Sequence, residues 1–329
     1  MTPATTPSWL NSISDMAEFK HIPVMKEECL QALQVKDGGI YFDGTVGAAG
    51  HSYEILKRSS PSGRLIATDL DDSAIAAASQ KLDEFKGRFE IFKSNYKDYE
   101  NVFALAGVDE VDGVLLDFGV SSHQIDTEER GFAYMKPNSP LDMRMDQASP
   151  LTAEIILNEY PREEITKILK VYGEERFAPL IAANIEKARK THRITKCGEF
   201  VEIIENSIPK KFQQNGPAAR KSFQAIRIAV NGELDGLYEC VVGLTRKLKK
   251  GGRIAILTFH SLEDRIVKNA FKELETDCIC DKSLPVCVCG KKKEIEIITK
   301  KPITATSEEM AINSRSKCAK LRVAEKITQ

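Results

Sequence analysis

The first half of the chain alternates short apolar runs with helix-like segments, and this alternation constrains the fold more than any other feature. Four runs, "GGIYFDGT", "GRLIATDLD", "RFEIFKSNY" and "VDGVLLDFG", are predicted to be strands. The segments "HSYEILKRS" and "DSAIAAASQKLDEF" between them are predicted to be helices. Strands that alternate with helices indicate an α/β fold with a parallel, doubly wound sheet.

The pattern changes over residues 124–215, where strand signals are sparse and four amphipathic helices are predicted. We interpret this region as a helical domain inserted between strands of the sheet. Beyond it, "ARKSFQAIRIAVNGELDGLYECVVGLTRKL" is predicted to be one helix and "KKGGRIAILTFHS" a buried strand. The segments "EIEIIT" and "AKLRVAEKI" are predicted to be edge strands.

Three predicted strands end on a carboxylate, namely Asp43, Asp69 and Asp117. The carboxyl ends of parallel strands meet at one edge of a sheet, where such folds bind ligands. Asp69 lies about 20 residues beyond the first strand, where an acid accepts hydrogen bonds from ribose hydroxyls. The alternative for Asp69 is a cap of the next helix, although Asp71 is also available for that role.

The first strand-to-helix turn, "DGTVGAAGHS", has glycine at every third position, Gly44, Gly47 and Gly50. Glycines let a ligand approach the backbone closely, but a simple turn is an equally good interpretation of this feature alone. The spacing differs from the G-x-G-x-x-G of dinucleotide enzymes. A protein kinase, suggested by the letters Asp117-Phe118-Gly119, is excluded because the V-A-I-K and H-R-D motifs are absent from the sequence. The turn and the acids together suggest S-adenosylmethionine.

The sequence resembles a known family, the bacterial 16S ribosomal RNA cytosine N4-methyltransferases (RsmH, or MraW). The matching stretches run in order through almost the whole chain: "HIPVMKEECLQAL", "DGTVGAAGHS", "LLDFGVSSHQID", "ERGFAYM", "PLDMRMD", "YGEERFA", "FQAIRIAVNGEL", "GGRIAILTFHSLEDRIVK" and "LRVAEK". The resemblance implies a class I S-adenosylmethionine-dependent methyltransferase sheet, Rossmann-like, over residues 21–123 and 216–329. It implies that residues 124–215 are an inserted all-helical substrate-recognition domain. Residues 1–20 are predicted to be a loose tail.

The resemblance also assigns residues to S-adenosyl-L-methionine: Ala49, Gly50, His51, Asp69, Tyr96, Asp117 and Gln124. Asp117 is the predicted catalytic residue, because an acceptor near the cytosine N4 amine would help it attack. The sequence departs from the family pattern in places. Ala49 stands where glycine is usual, Tyr96 where phenylalanine is common and His123 where proline is frequent, and "NSRSKCAKLRVAEK" departs from the usual Asn-Pro-Arg-Ala-Arg-Ser run.

Ribosomal RNA as a substrate requires a local basic surface, because the net charge of the whole chain is only −1. Between residues 185 and 227 there are ten Lys and Arg against four Asp and Glu. The helix predicted after residue 216, at the end of this range, presents a polar stripe. It is formed by Arg220, Gln224, Arg227 and Asn231 and is predicted to bind RNA. The alternative interpretation is a solvated helix face.

Two aromatic residues, Phe132 and Tyr134, follow the fourth strand and could stack on an extruded cytosine or belong to the core of the insert. His260 and Ser261 close the fifth strand, either as substrate-side groups or as a structural turn. We assign no metal to the catalytic site. Four clustered thiols, Cys278, Cys280, Cys287 and Cys289, have a compact spacing that could hold zinc, a question that the sequence leaves open.

The sequence contains neither a secretory signal nor an apolar run long enough to span a membrane, so we expect a cytoplasmic protein without membrane partners. The resemblance implies 16S ribosomal RNA as the partner, within the small ribosomal subunit, and the target cytosine in its decoding region, at the P site. A homodimer stays open. Two alternatives are an RNA-binding ribosome assembly factor without catalysis and a methyltransferase of another substrate.

Overall fold

The structure is a computed structural model that describes residues 23–213, 217–281 and 286–329. The predicted tail, residues 1–20, lies outside the described residues. Within them one sheet has the strand order β3-β2-β1-β4-β5-β8-β6, with β7 paired to β8. The strands are β1 (Ile40–Asp43), β2 (Arg64–Asp69), β3 (Phe89–Lys93), β4 (Val111–Asp117), β5 (Leu248–Thr258), β6 (Ile295–Ile297), β7 (Ile303–Thr304) and β8 (Lys320–Lys326).

Strands β1 to β5 are all parallel, which confirms the predicted doubly wound sheet and its class I architecture. Strand β8 runs antiparallel to β5 and also pairs with β6, so it lies inside the sheet. The prediction that "AKLRVAEKI" is an edge strand was therefore wrong. Leu321, Val323 and Ala324 are all buried, as expected of a strand covered on both faces.

Thirteen α-helices connect and flank the strands within the described residues. They are α1 (Lys26–Leu33), α2 (Gly50–Arg58), α3 (Asp72–Lys81), α4 (Tyr99–Ala106), α5 (Ser122–Asp126), α6 (Ala153–Glu159), α7 (Arg162–Gly173), α8 (Ala178–Ala188), α9 (Cys197–Ser207), α10 (Ala219–Asn231), α11 (Leu237–Arg246), α12 (Ser261–Glu275) and α13 (Ser307–Ile312). No helix in this part of the chain is long and apolar enough to cross a bilayer.

The single helix predicted after residue 216 is two helices, α10 and α11. Gly232 and Gly236 between them have φ values of 55° and 64°. This left-handed conformation ends a helix and suits glycine. The glycines in "NGELDG" were therefore the signal for the break.

Helices α6 to α9 share a buried apolar cluster that is separate from the two clusters on the faces of the sheet. Phe223, Ile226 and Val230 of α10 belong to the same cluster, and Phe223 stacks on Phe200 of α9 with ring centroids 5.2 Å apart. Helix α10 is therefore packed as part of the helical layer, although it follows residue 215. The domain boundaries stay a prediction.

Candidate functional site

A cavity of about 640 Å³ opens at the carboxyl edge of the parallel strands. It lies where the chain order reverses between β1 and β4, the usual ligand position in open α/β sheets. Most predicted site residues line it: Gly50, His51, Asp69, Tyr96, Asp117, Gln124, Arg220, Gln224 and Arg227. Ala49 and Asn231 are not part of its lining.

In the glycine turn between β1 and α2, two of the glycines are required by the structure for different reasons. Gly47 has a φ of 48°, and a β-carbon on Gly44 would collide with the Leu116 side chain. Ala49 also adopts a left-handed φ of 54°, although it carries a β-carbon. A left-handed non-glycine residue costs about 1–2 kcal/mol. The methyl group of Ala49 is buried in the core, so it strains the backbone rather than narrowing the cavity.

Asp69 at the end of β2 braces this turn. Its Oδ2 accepts a hydrogen bond from the Gly47 backbone N–H at 2.9 Å, and its Oδ1 accepts one from the Asp71 N–H at 3.0 Å. Burial raises the pKa of the Asp69 carboxyl. The cap of α3 is Asp71, whose side chain accepts from the Ser73 N–H. Each Asp69 oxygen still has a lone pair for a ligand hydroxyl.

Asp117 at the end of β4 lines the cavity, and its side chain keeps 24% of its accessible surface. Burial raises the pKa of Asp117 to about 8, with smaller contributions from the charges of Asp43 and Glu263. Among the described residues, no hydrogen bond reaches the Asp117 carboxyl oxygens. Its backbone is fixed because its N–H donates to Thr45 Oγ1 at 2.7 Å. The backbone of Asp117 is thus fixed, while its carboxyl oxygens stay available to a ligand.

His51 lies beside Asp117, with Nδ1 4.0 Å from Asp117 Oδ2. Its Nε2 is 3.1 Å from the Val24 carbonyl oxygen. A carbonyl only accepts, so Nε2 carries the proton and, in the neutral ring, Nδ1 faces Asp117 as an acceptor. A protonated ring would instead donate from Nδ1 to the Asp117 carboxylate.

Asp43 at the end of β1 has a structural role in the same cluster of acids. It is buried and accepts hydrogen bonds from Ser52 Oγ at 2.5 Å and the Thr45 N–H at 3.1 Å. Burial raises the pKa of Asp43 to about 6. Its two oxygens are occupied by the protein, in contrast to those of Asp117.

One wall of the cavity is aromatic. The Tyr96 ring stacks on Phe118 with centroids 5.6 Å apart and planes inclined by 28°. Both residues line the cavity. An apolar, planar surface of this kind can pack against an adenine ring.

Gln124 is buried, and its amide group is already used by the protein. Its Oε1 accepts from the Ser121 N–H at 3.0 Å, completing a capping box at the start of α5, and its Nε2 donates to Asp71 Oδ2 at 3.0 Å. The S-x-x-Q spacing in "SSHQ" was a sequence signal for this box. A cofactor contact through Gln124 stays a prediction, and the capping role is one that our sequence reasoning missed.

Sequence reasoning also missed a buried ion pair beneath the cavity. Arg130 Nη1 donates to Asp71 Oδ2 at 2.6 Å, and the two side chains are only 5% and 7% exposed. Arg130 Nη2 donates to the backbone oxygens of Arg144 and Met145. The pair joins the end of β2 to the segment that leads into the helical layer.

The polar stripe of α10 has three different environments. Arg220 is exposed at the cavity. Arg227 instead forms a bidentate ion pair with Glu233, in which Nε and Nη2 donate to the two carboxylate oxygens at 2.9 and 2.8 Å. Asn231 accepts from the Met145 N–H and donates to the Met143 oxygen. Gln224 donates to the Tyr172 oxygen at 3.1 Å. RNA contacts by this stripe stay a prediction, and Arg220 has the environment that best suits one.

Phe132 and Tyr134 line the cavity and are half-buried against the helical layer, and stacking on a cytosine stays a prediction. Tyr134 meets Phe223 edge to face at 5.9 Å. His260 also lines the cavity, but it caps α12 by accepting from the Glu263 N–H. Ser261 donates to Glu174 instead. The turn at the end of β5 therefore has a structural role.

Comparison with known proteins identifies the family. The model of the MraW methylase family matches residues 18–327. The chain belongs to this family. It is 50% identical over 310 residues to "Ribosomal RNA small subunit methyltransferase H 2" of Agathobacter rectalis, covering 94% of this chain and 99% of the relative. The proteins named "Ribosomal RNA small subunit methyltransferase H" in Clostridium botulinum (strain Kyoto) and Geobacter sp. are also 50% identical, covering 94% and 95% of this chain and 100% of each relative.

The family confirms the predicted methyltransferase activity and its cofactor, S-adenosylmethionine. The residues that line the cavity at the carboxyl edge of the sheet fit this cofactor. Asp69 offers a carboxylate to ribose hydroxyls, and the Tyr96–Phe118 wall offers a surface to adenine. Asp117 is a half-buried acid whose carboxyl accepts no hydrogen bond from the described residues, so a positively charged ligand beside it would stabilise its charge.

Proposed function

We propose that this MraW-family methyltransferase methylates the exocyclic N4 amine of a cytosine in the decoding region of 16S ribosomal RNA. The observation that carries the proposal is one continuous cavity. It joins the acids at the strand ends to Phe132, Tyr134 and Arg220 on the helical side. The relatives that match almost the full chain bear the name of a small-subunit ribosomal RNA methyltransferase, which supports this substrate class.

The target base would enter between the strand ends and the helical layer. Chemistry on a base requires the base to leave its stack, and aromatic side chains are its usual receivers. Phe132 and Tyr134 present half-buried rings at this position, while the exposed Met135 lies at the rim. The same cavity is also lined by Asp117, so an apolar surface and the acid face one space.

Asp117 is the group that acts on the amine. The cofactor supplies an electrophilic methyl group on a cationic sulfur. The lone pair of the cytosine amine is delocalised into the ring, so a hydrogen bond from that amine to Asp117 would localise electron density on N4. Asp117 would also take up the proton that N4 loses on methylation, once the cationic sulfur of the bound cofactor has favoured its carboxylate form.

Arg220 supports the RNA side of the proposal. Its exposed guanidinium can bind phosphate, and the neighbouring Lys221 is exposed on the same helix. We place the substrate within the small ribosomal subunit, in the cytoplasm.

The test is mass mapping of cytosine methylation in 16S ribosomal RNA from a deletion strain. We expect one N4-methylated cytosine to disappear, and to return with the wild-type gene but not with Asp117→Ala. A matched control is Asp109→Ala, an exposed carboxylate just before the opposite end of β4, which should restore methylation. Unchanged methylation in the deletion strain would refute the proposal. Restoration of subunit assembly by Asp117→Ala, without methylation, would instead favour an assembly factor.

A further inference from the structure

A second group of reactive side chains lies in the connection between α12 and β6. Its members are the four thiols Cys278, Cys280, Cys287 and Cys289, all free and none in the lining of the cavity. The structure brings them together from two short stretches of sequence. Their sulfur atoms all lie within 4.8 Å of one another.

Each C-x-C stretch contributes two thiols separated by one residue, and the structure turns all four sulfur atoms toward one another. The intervening residues, Ile279 and Val288, are 70% and 76% exposed. The cluster itself lies at the surface, where Cys278 and Cys287 are exposed and Cys280 and Cys289 are partly buried.

The distances between the sulfurs match a tetrahedral site. Cys287 Sγ lies 3.4 Å from Cys278 Sγ, 3.8 Å from Cys280 Sγ and 3.5 Å from Cys289 Sγ. Cys289 Sγ lies 3.9 Å from Cys278 Sγ. Four thiolates bound about 2.3 Å from a tetrahedral ion would be about 3.8 Å apart. The cluster thus has the size of a four-sulfur metal site before any movement of the chain.

Backbone amides already point at these sulfurs. The Ile279 N–H donates to Cys289 Sγ at 3.5 Å, the Cys280 N–H to Cys278 Sγ at 3.4 Å and the Val288 N–H to Cys280 Sγ at 3.3 Å. Such hydrogen bonds orient ligands and stabilise thiolate charge at metal centres. A neutral thiol is a weak hydrogen-bond acceptor, so three amide donors suit thiolates better than thiols.

We propose that Cys278, Cys280, Cys287 and Cys289 bind one Zn²⁺ as a closed, structural four-thiolate site. Binding converts four thiols to thiolates and releases their protons, which leaves a net charge of −2 on the site. Lys291 and Lys292 follow the last ligand after one glycine and lower the cost of that charge. Because all four positions are filled by sulfur, the ion has no open position for catalysis. Its effect would be to give this small connection a core of its own.

The test is metal analysis of the full-length protein, produced without a histidine tag and purified with a reductant but without chelator. We expect roughly one zinc per chain by plasma mass spectrometry. Cys280→Ser and Cys287→Ser should each lose most of it, whereas Cys318→Ser, an exposed cysteine outside the cluster, should keep it. Cobalt exchanged into the site should show the charge-transfer and ligand-field bands of tetrahedral thiolate coordination.

Two results would overturn the proposal. One is a protein without bound metal that takes up no zinc when zinc is added and whose four thiols all react with a thiol reagent. The other is a disulfide within the cluster, found by mass spectrometry under the same reducing conditions. Iron in place of zinc would reject the identity of the ion. None of these readouts depends on methyl transfer, so the result is independent of the proposed function.

Discussion

The protonation state of Asp117 leads to a prediction about cofactor binding. With a pKa of about 8, this carboxyl is mainly neutral at neutral pH in the protein without ligand. A cationic sulfonium nearby favours the carboxylate, so binding should lower the pKa and expel a proton. If the pKa of the complex falls below 6, affinity should rise about tenfold for each pH unit between about 6 and 8, and then level off.

The sign of the effect follows from which form binds the cation. At low pH the carboxyl must first lose its proton, and that cost weakens binding. Above the pKa of the free protein the carboxylate is already present, so the pH dependence ends there. Each pH unit corresponds to about 1.4 kcal/mol of binding free energy.

Calorimetric titration in two buffers with different ionisation enthalpies measures the released protons. The matched ligand is S-adenosylhomocysteine, which has the same amino-acid end but a neutral sulfur, so titration of that end cancels in the comparison. We expect close to one additional proton released per S-adenosylmethionine at neutral pH. In Asp117→Asn the difference between the two ligands should vanish. Equal proton release for both ligands in the wild-type protein would show that Asp117 does not sense the sulfonium charge.

Two further predictions concern the helical layer. Arg220→Ala should weaken RNA binding and lower the slope of log affinity against log salt by about one, without changing cofactor affinity; an unchanged slope would make Arg220 part of a solvated face. Arg130→Met should lower the free energy of unfolding by about 3–5 kcal/mol in denaturant titration, because it leaves the buried Asp71 charge without its partner. Arg58→Met, which breaks an exposed ion pair with Glu27, should cost less than about 1 kcal/mol, and equal losses would contradict this account.

The strands and the acids at their ends could be predicted because the signals are local. A buried parallel strand is a short apolar run, and its last residue lies at the ligand edge whatever the rest of the chain does. Asp43, Asp69 and Asp117 therefore came together as expected. Strand β8 was predicted as a strand, but its position inside the sheet was not, because a strand pattern does not say which neighbours pair with it. Its Arg322 is in fact buried in an ion pair with Asp264 on α12, a partner that the sequence pattern cannot reveal.

The polar stripe on α10 also shows what a sequence pattern can and cannot predict. Helical spacing correctly put Arg220, Gln224 and Arg227 on the cavity side. It could not show that Arg227 is held by Glu233, because that contact depends on the turn made by Gly232. Polar residues at helical spacing are compatible with an internal partner and with an external one. Only the tertiary structure distinguishes the two.

The cofactor side and the proposed RNA side of the cavity are joined through Asp71. Its carboxylate caps α3 just after Asp69, accepts from Gln124 and pairs with Arg130. Arg130 in turn binds the backbone at Met145, the same segment that Asn231 of α10 fixes. A chain of hydrogen bonds, charge-assisted at Asp71 and Arg130, therefore runs from the end of β2 to the helix that carries Arg220. The buried ion pair in this chain is costly to break, so we expect it to hold the cofactor end and the proposed base-receiving end at a fixed separation, as alignment of a displacement at carbon requires.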